Sequence, residues 1–145
     1  MRQHISSGSP LEPTIGFSRV VRDGRLVFVS ATAAIWPDGH VDPDVGVQAR
    51  RCLEIIDEAL GESGATPRDV VRTRVFLIDA SHGAAVAEVH GEAFGEIRPA
   101  TGFIVVKGFL DPRWLSLAQG KQPRLCRWCA KHAPQRGGRR RQARR

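Results

Sequence analysis

Three polar side chains have the chemical types that acid–base catalysis or anion binding would use. A histidine such as His90 can transfer protons near neutral pH, the Ser30 hydroxyl can hydrogen-bond a ligand, and Arg98 carries a guanidinium fork that fits a carboxylate. Each also has a structural interpretation: a packing or surface histidine, a strand serine bonded to neighbouring backbone, and a surface arginine. Ser30, His90 and Arg98 are therefore the catalytic candidates, with the structural interpretation favoured for His90 and Arg98.

A further group of potential ligands lies near the end of the chain. Cys126 and Cys129 form a C-x-x-C pair, and His132 follows them. Zinc sites use four ligands and only three are local, so chance spacing is favoured and no metal is expected. The three cysteines do not suggest a disulfide framework, and neither a signal peptide nor a membrane-spanning run is evident. We therefore expect a reducing, cytoplasmic setting without membrane contact.

Alternating strands and helices must position these residues. Apolar periodicity predicts strands over 17–22, 25–33, 70–78 and 101–106, and helices over 44–62 and 81–94. The first two strands are predicted to meet at a two-residue Asp23-Gly24 turn. Asp44 can cap the first helix, and Gly64 can end it in the left-handed conformation. A chain of 145 residues with this pattern is predicted to form one domain.

The predicted strands are apolar on both faces. Val27 and Val29 alternate with Leu26 and Phe28, and the strand over 70–78 has the same character. Two helices can cover only one face of a four-stranded sheet, so the other face needs a partner. Another copy of the same chain is the commonest supplier. The pattern predicts self-association without fixing the number of copies.

Charge divides the chain into two parts. The formal net charge is +7, yet ten of the 22 lysines and arginines lie in residues 116–145, which contain no acidic residue. Residues 1–115 therefore carry 12 basic and 15 acidic residues. We expect a domain over 1–115 and a basic, disordered tail over 116–145, through which nucleic acid could bind. A shifted reading frame of a GC-rich gene would give the same composition.

Short motifs in a specific order connect these elements to a known family. The motifs are IGFS at 15–18, LVFVS at 26–30, QA at 48–49, GATPRDVV at 64–71, VFLID at 75–79 and RPA at 98–100. In this order and spacing they resemble the Rid family, the reactive-intermediate deaminases also called YjgF-like proteins. The resemblance covers residues 13–115, and the final family strand is missing or replaced after that point.

The resemblance implies both a fold and an activity. The implied fold is α+β, a mixed sheet with two helices on one face in the chorismate-mutase-like arrangement. The implied assembly is a homotrimer with ligand clefts between neighbouring subunits. Family enzymes hydrolyse reactive enamines and imines to 2-oxo acids and ammonia, and they use no metal or organic cofactor. The implied partners are further copies of the chain and a small-molecule ligand.

The resemblance also assigns ligand-binding positions. Family deaminases carry an arginine directly after Pro-Ala that pairs with the substrate carboxylate, and here that position is Thr101, which has no charge. The family glutamate of the last strand, thought to position the attacking water, is absent, since no glutamate follows Glu96. Phe17 stands where tyrosine is common, and Ser30 matches the family. Phe17, Ser30 and Thr101 are the predicted ligand-binding residues.

Three functions stay open from the sequence. The first is a diverged family member that binds a small metabolite and has weak or no imine deaminase activity. The second is a nucleic-acid-binding protein that acts through the basic tail, because some family members have been described as endoribonucleases. The third is a non-catalytic relic. The missing arginine and glutamate argue against an efficient deaminase.

Overall fold

The computed structural model describes residues 1–122, which form one mixed sheet and three helices. The strands are β1 (Arg2–Ile5), β2 (Val20–Asp23), β3 (Leu26–Val29), β4 (Thr32–Ala33), β5 (Arg72–Leu77), β6 (Ala100–Val105) and β7 (Ser116–Gln122). The helices are α1 (Leu11–Ile15), α2 (Val45–Glu62) and α3 (Gly83–Phe94). Single 3₁₀ turns cover Pro67–Asp69 and Ala80–His82.

The sheet has the strand order β1-β2-β3-β7-β5-β6, and β4 also pairs with β7. Strands β5 and β6 are parallel, connected through α3, while the other pairs are antiparallel. The long helices α2 and α3 pack together on one face of the sheet. The predicted α+β architecture is confirmed. The periodicity did not reveal β1 and α1, and the strand predicted over 25–33 is divided into β3 and β4. None of the helices formed by residues 1–122 is long and apolar enough to cross a membrane.

Helix α2 begins and ends where its sequence predicts. The Asp44 side chain accepts a hydrogen bond from the backbone N–H of Val47 at 2.8 Å, which satisfies one of the free donors of the first turn. The apolar residues that recur at helical spacing along α2 are largely buried. The most enclosed of them are Ala49, Cys52, Ile56 and Leu60. Gly64 follows the helix with a φ of 73°, a conformation that favours glycine.

The hairpin turn between β2 and β3 lies one residue later than expected. Asp23 pairs with Leu26, so the two central residues are Gly24 and Arg25. Gly24 has a φ of 58°. A type II′ turn needs glycine at its first central position, whereas the expected Asp-Gly turn would have placed both residues in the left-handed region. The turn is therefore shifted by one residue, because its only glycine, Gly24, is required at the first central position.

Strand β7 departs from the domain division expected at residue 115. It lies in the middle of the sheet, where it pairs with β5 on one side and with β3 and β4 on the other. The sheet therefore continues through Gln122, and the last strand is replaced rather than missing. The segment has no β-branched residue, so its composition gave no strand signal, and pairing on both sides sets its conformation instead. The Cys126, Cys129 and His132 group lies outside the described residues.

Apolar spacing along α3 predicts an inward face of Ala85, Val86, Val89 and Ala93, and this prediction is wrong in part. The buried residues are Val86, Val89 and Phe94, while Ala85 and Ala93 are exposed. The large side chains take the positions against the sheet because they bury more apolar surface than alanine does.

The sheet face opposite the helices is apolar and exposed. Leu26 retains 39% of its accessible surface, Phe28 retains 40% and Ile104 retains 40%, whereas Val27 and Val29 each retain only 2%. The alternation follows the pleat of the strands, so the predicted two-sided apolar character is confirmed for β3. It is wrong for most of β5, whose outer face carries the exposed side chains of Arg72 and Arg74.

A buried glutamine fixes the segment that leads into β7. The Gln48 amide nitrogen donates to the carbonyl of Asp42 at 2.7 Å and to that of Arg113 at 2.8 Å, and its oxygen accepts from the Leu115 N–H at 2.8 Å. Gln48 is fully buried on α2. Its carboxamide therefore joins the loop before α2 to the residues immediately before β7.

Replacing Gln48 by alanine should lower the free energy of unfolding by about 2 kcal/mol, because it leaves three part-buried backbone groups without that partner. Urea denaturation measures the change. Gln3→Ala, at an exposed position of β1, is the matched control and should change stability by no more than about 0.5 kcal/mol. Equal effects of the two substitutions would contradict the assigned role of Gln48.

Candidate functional site

Three side chains meet where β5, β6 and α3 come together, and we call them the hydroxyl relay: Thr73, His90 and Thr101. Thr73 and Thr101 are direct neighbours in the parallel β5–β6 register. The Thr73 hydroxyl oxygen lies 2.9 Å from the Thr101 hydroxyl oxygen and 3.0 Å from His90 Nε2. The structure thus brings together two of the residues singled out in the sequence, His90 and Thr101, through a third that was not.

The direction of the relay depends on the Thr101 proton. The Thr101 hydroxyl donates to the backbone carbonyl of Pro99 at 2.9 Å, which uses its only hydrogen. With that proton on Pro99, Thr73 donates to Thr101 and His90 Nε2 donates to Thr73, which corresponds to the Nε2–H tautomer. The same distances also fit the reverse order, in which Thr101 donates to Thr73 and Thr73 donates to His90 Nε2.

Aromatic neighbours and partial burial keep His90 neutral. The imidazole ring lies 4.7 Å from the Phe94 ring and 5.9 Å from the Phe103 ring, measured between centroids. Burial lowers the pKa of His90 below its usual value. At neutral pH the side chain is therefore an uncharged imidazole, which is the form that general-base chemistry requires.

The other predicted ligand residues belong to a second group, which we call the N-terminal arginine cluster: Glu12, Phe17, Arg19 and Ser30. Phe17 and Ser30 are half-buried. The Ser30 hydroxyl donates to the carbonyl of Ser18 at 2.8 Å, so its proton is used within the backbone framework. The Arg19 guanidinium carbon lies 5.4 Å from the centre of the Phe17 ring, within the range of a cation–π contact.

Glu12 and Arg19 are both buried, and Ser7 connects them. The Ser7 hydroxyl donates to Glu12 Oε1 at 2.8 Å and accepts from Arg19 Nε at 3.2 Å. Burial alone would raise the pKa of the Glu12 carboxyl, but hydrogen bonds from Ser6 and Ser7 and the charge of Arg19 bring that pKa below its usual value. Glu12 is therefore ionised at neutral pH.

Arg98 occupies a position that the sequence did not anticipate. Its φ is 52°, so it adopts a left-handed rather than the extended conformation expected before Pro99. The Arg98 N–H donates to the Phe94 carbonyl at 2.8 Å, which ends α3 by reversing the chain. Its exposed guanidinium donates only a long bond, 3.4 Å, to the Gly95 carbonyl. The structure thus places Arg98 at a helix end and gives it no bond to the hydroxyl relay.

Within one protomer the two groups do not form a common pocket. Strands β7 and β5 separate β3, which leads to Ser30, from β6, which carries Thr101. Three inter-strand spacings correspond to about 14 Å. Two cavities that reach His90 from the core have volumes of about 20 and about 10 Å³. Space of that size holds a water molecule at most and excludes an amino-acid-sized ligand.

The cysteine of the described part contributes no chemistry. Cys52 is fully buried on α2, and this burial raises the pKa of its thiol to about 12. The thiol is therefore protonated and serves as a small apolar core residue. Among residues 1–122 no cluster of histidine, cysteine or acidic side chains could hold a metal ion.

Comparison with known proteins identifies the relationship. A family model described as Endoribonuclease L-PSP matches residues 8–115. The crystal structure of Rv2704 from Mycobacterium tuberculosis, a member of the YjgF/YER057c/UK114 family, is 40% identical, covers 85% of this chain and 99% of its own, and superposes with a TM-score of 0.79. The chain belongs to the Rid, or YjgF-like, family.

Curated relatives of this Rid-family chain agree with the assignment. Uncharacterized protein SCO2049 of Streptomyces coelicolor is 38% identical over 116 residues, which cover 78% of this chain and 85% of the relative. A RutC family protein of Pyrococcus abyssi, PYRAB12510, is 35% identical over 91 residues, which cover 61% of this chain and 72% of the relative. The resemblance that the motifs indicated is confirmed.

Three residues of the two candidate groups, Thr73, Arg19 and Glu12, were missed in the sequence. Thr73 could have been found from the parallel pairing of its strand with β6, which sets it beside Thr101. Arg19 lies two residues after Phe17, but a charged residue at a strand start is common and gave no signal. Glu12 depends on α1, a five-residue helix without periodicity.

Substituting His90 by glutamine should flatten the pH dependence of stability just below pH 6.5. Because burial lowers the His90 pKa in the fold, the unfolded chain binds more protons in that range, and stability falls as the pH drops from about 6.5 toward the folded pKa. Glutamine removes the titration, and its amide can still donate to Thr73. Urea midpoints from pH 7.5 to pH 5 measure the effect, with His4→Gln as the exposed control. Parallel curves for wild type and His90→Gln would contradict it.

Proposed function

We propose that this Rid-family chain binds a small metabolite between subunits of a homo-oligomer and hydrolyses imines weakly or not at all. The observation that carries the proposal is the state of Thr101. The family places a carboxylate-binding arginine there, whereas the Thr101 hydroxyl is engaged with Thr73 and Pro99. A hydroxyl in this position supplies neither a positive charge nor a second donor for a substrate carboxylate.

The location between subunits rests on two features of the protomer. The cavities that reach His90 are too small for a metabolite, and the two groups of predicted ligand residues lie about three strand spacings apart. The exposed apolar face formed by Leu26, Phe28 and Ile104 needs a cover. Assembly of several copies would cover that face and bring one group of each protomer toward the other group of its neighbour. The cytoplasm remains the proposed location.

A catalytic role would depend on His90 as the proton acceptor. The Thr73 hydroxyl holds Nε2 by a hydrogen bond, and the lowered pKa of His90 keeps the imidazole neutral near pH 7. No member of the hydroxyl relay, Thr101 included, supplies the charge that would orient a substrate carboxylate. Orientation is a large part of the acceleration that such enzymes achieve. We therefore infer binding without efficient turnover.

Imine hydrolysis should be slow. With 2-iminobutanoate or 2-iminopropanoate generated by a threonine dehydratase, we expect roughly 10²-fold or more loss relative to a family deaminase, because a bidentate charged contact is absent. Ammonia release measures the rate. Thr101→Arg should raise the rate only in part, because the water-positioning glutamate is also missing, and Thr101→Ser is the matched control. Robust acceleration by the wild-type protein would refute the proposal.

The oligomer should have about three times the mass of the 15.9 kDa chain, as family resemblance implies. Light scattering on the full chain at micromolar concentration measures the mass. Phe28→Lys, on the apolar face, should shift the protein toward smaller species, because a charge would be buried in the interface. Arg68→Glu, on an exposed turn, is the control. A well-folded wild-type monomer would overturn the oligomeric part of the proposal.

Nucleic-acid binding is the second candidate function. Residues 116–145 contain ten basic and no acidic residues, and the matching family model carries an endoribonuclease description. Affinity of this origin should fall steeply with salt and should be lost on removal of residues 123–145, a truncation that spares β7. The small-molecule function is preferred because the relay and the arginine cluster are built from residues whose contacts the structure describes.

A further inference from the structure

Arg19 is a buried cation whose hydrogen bonds all reach neutral oxygens. Its side chain and backbone together expose only 7% of their surface. Nε donates to the Ser7 hydroxyl at 3.2 Å, and Nη1 donates to the Ala31 carbonyl at 3.0 Å and the Thr32 hydroxyl at 2.9 Å. No carboxylate of residues 1–122 forms an ion pair with it. Buried charges in proteins are ordinarily paired, so this arrangement calls for an anion.

The bond count shows which edge of the guanidinium is available. Three of its five N–H groups have acceptors, and the two on Nη2 have none within residues 1–122. Nη2 is also absent from the fully enclosed polar atoms that lack a partner. Part of Nη2 therefore meets solvent, or a ligand that replaces solvent, although Arg19 as a whole is only 7% exposed.

The charge of Arg19 is only partly balanced by Glu12. The two groups interact through the Ser7 hydroxyl, which donates to Glu12 and accepts from Arg19. A carboxylate one hydroxyl away lowers the cost of burying the guanidinium but does not occupy Nη2. Removing the negative charge of Glu12 would make the surroundings of Arg19 more attractive to a second anion.

Arg19 also lies between the two matched ligand positions of the N-terminal arginine cluster. The Ser30 N–H donates to the Arg19 carbonyl at 2.9 Å, which makes the two residues cross-strand neighbours. The Phe17 ring lies against the guanidinium from the other side. A group bound at Nη2 would therefore lie close to the Phe17 ring, and Ser30 lies beside Arg19 on the neighbouring strand.

We propose that Arg19 Nη2 binds a carboxylate of the ligand, in place of the arginine that is absent at Thr101. This inference rests on the proposed function and names its ligand class: a small carboxylic acid. Both available N–H groups belong to one nitrogen, so the contact cannot form the two parallel bonds of a full fork. Affinity should therefore be modest, with a Kd on the order of millimolar for a small acid.

The probe pair is 2-oxobutanoate and its neutral amide, with binding followed by isothermal titration calorimetry on the full-length protein. Wild type should bind the acid and should bind the amide about tenfold more weakly. Arg19→Gln should bind the acid about tenfold more weakly than wild type, while Arg68→Gln, which removes one exposed positive charge elsewhere, should match wild type within twofold. Thermal unfolding of each variant shows that it is folded.

Glu12→Gln keeps the inference testable if Arg19→Gln does not fold. The glutamine oxygen can still accept both bonds from Ser7, so the framework is retained while the competing charge is lost. The acid should then bind a few-fold more tightly than to wild type, and the amide should be unaffected. A purely structural arginine would give no such gain.

The outcomes separate the two claims. If wild type binds the acid but Arg19→Gln binds it equally well, or if Glu12→Gln leaves the affinity unchanged, the assignment to Arg19 is wrong and the proposed function stands. If wild type binds the acid and the amide equally, the assignment also fails. If wild type binds neither probe at millimolar concentrations, both the assignment to Arg19 and the binding of small 2-oxo acids are refuted.

Discussion

The carboxamide of Gln48 holds the arrangement on which both polar groups depend. It is buried on α2, and its three hydrogen bonds reach the loop before that helix and the two residues that lead into β7. Strand β7 in turn joins the β2–β3 hairpin, which carries Arg19 and Ser30, to the β5–β6 pair, which carries Thr73 and Thr101. One fully buried side-chain amide thus holds the entry to the strand that joins the two halves of the sheet, and its burial makes each bond costly to lose.

Local sequence signals were sufficient for the elements that stand alone and insufficient for those that depend on partners. Helix α2 was predictable because its cap, its apolar stripe and the glycine after it all agree. Strand β7 was not, since its small and polar residues have low strand propensity and its conformation comes from neighbours distant in sequence. The fit is incomplete: Ser116 is 1% exposed, and its hydroxyl has no partner within the described part of the chain. A substituted strand can complete the backbone ladder while leaving side chains poorly matched.

The candidate site shows the same limit. Family motifs identified Phe17, Ser30 and Thr101, because those positions are fixed relative to glycines and prolines in the sequence. They could not reveal that Thr101 is bonded to Thr73, since that contact depends on the register of two parallel strands. Arg19 was hidden for a related reason. Its significance lies in burial without a contacting carboxylate, and burial of a charged residue at a strand end cannot be read from residue type.

The central position of β7 has a consequence for the order in which the chain can fold. Residues 116–122 are the last of the described elements to leave the ribosome, yet they lie between strands made much earlier. Until they arrive, β3 and β5 each present an unpaired edge, which invites pairing with the wrong chain. Contacts between such distant segments also slow folding, because a long loop must close before they form. During synthesis, therefore, this protein passes through a stage in which its hairpin and its helix-bearing half exist without the strand that unites them.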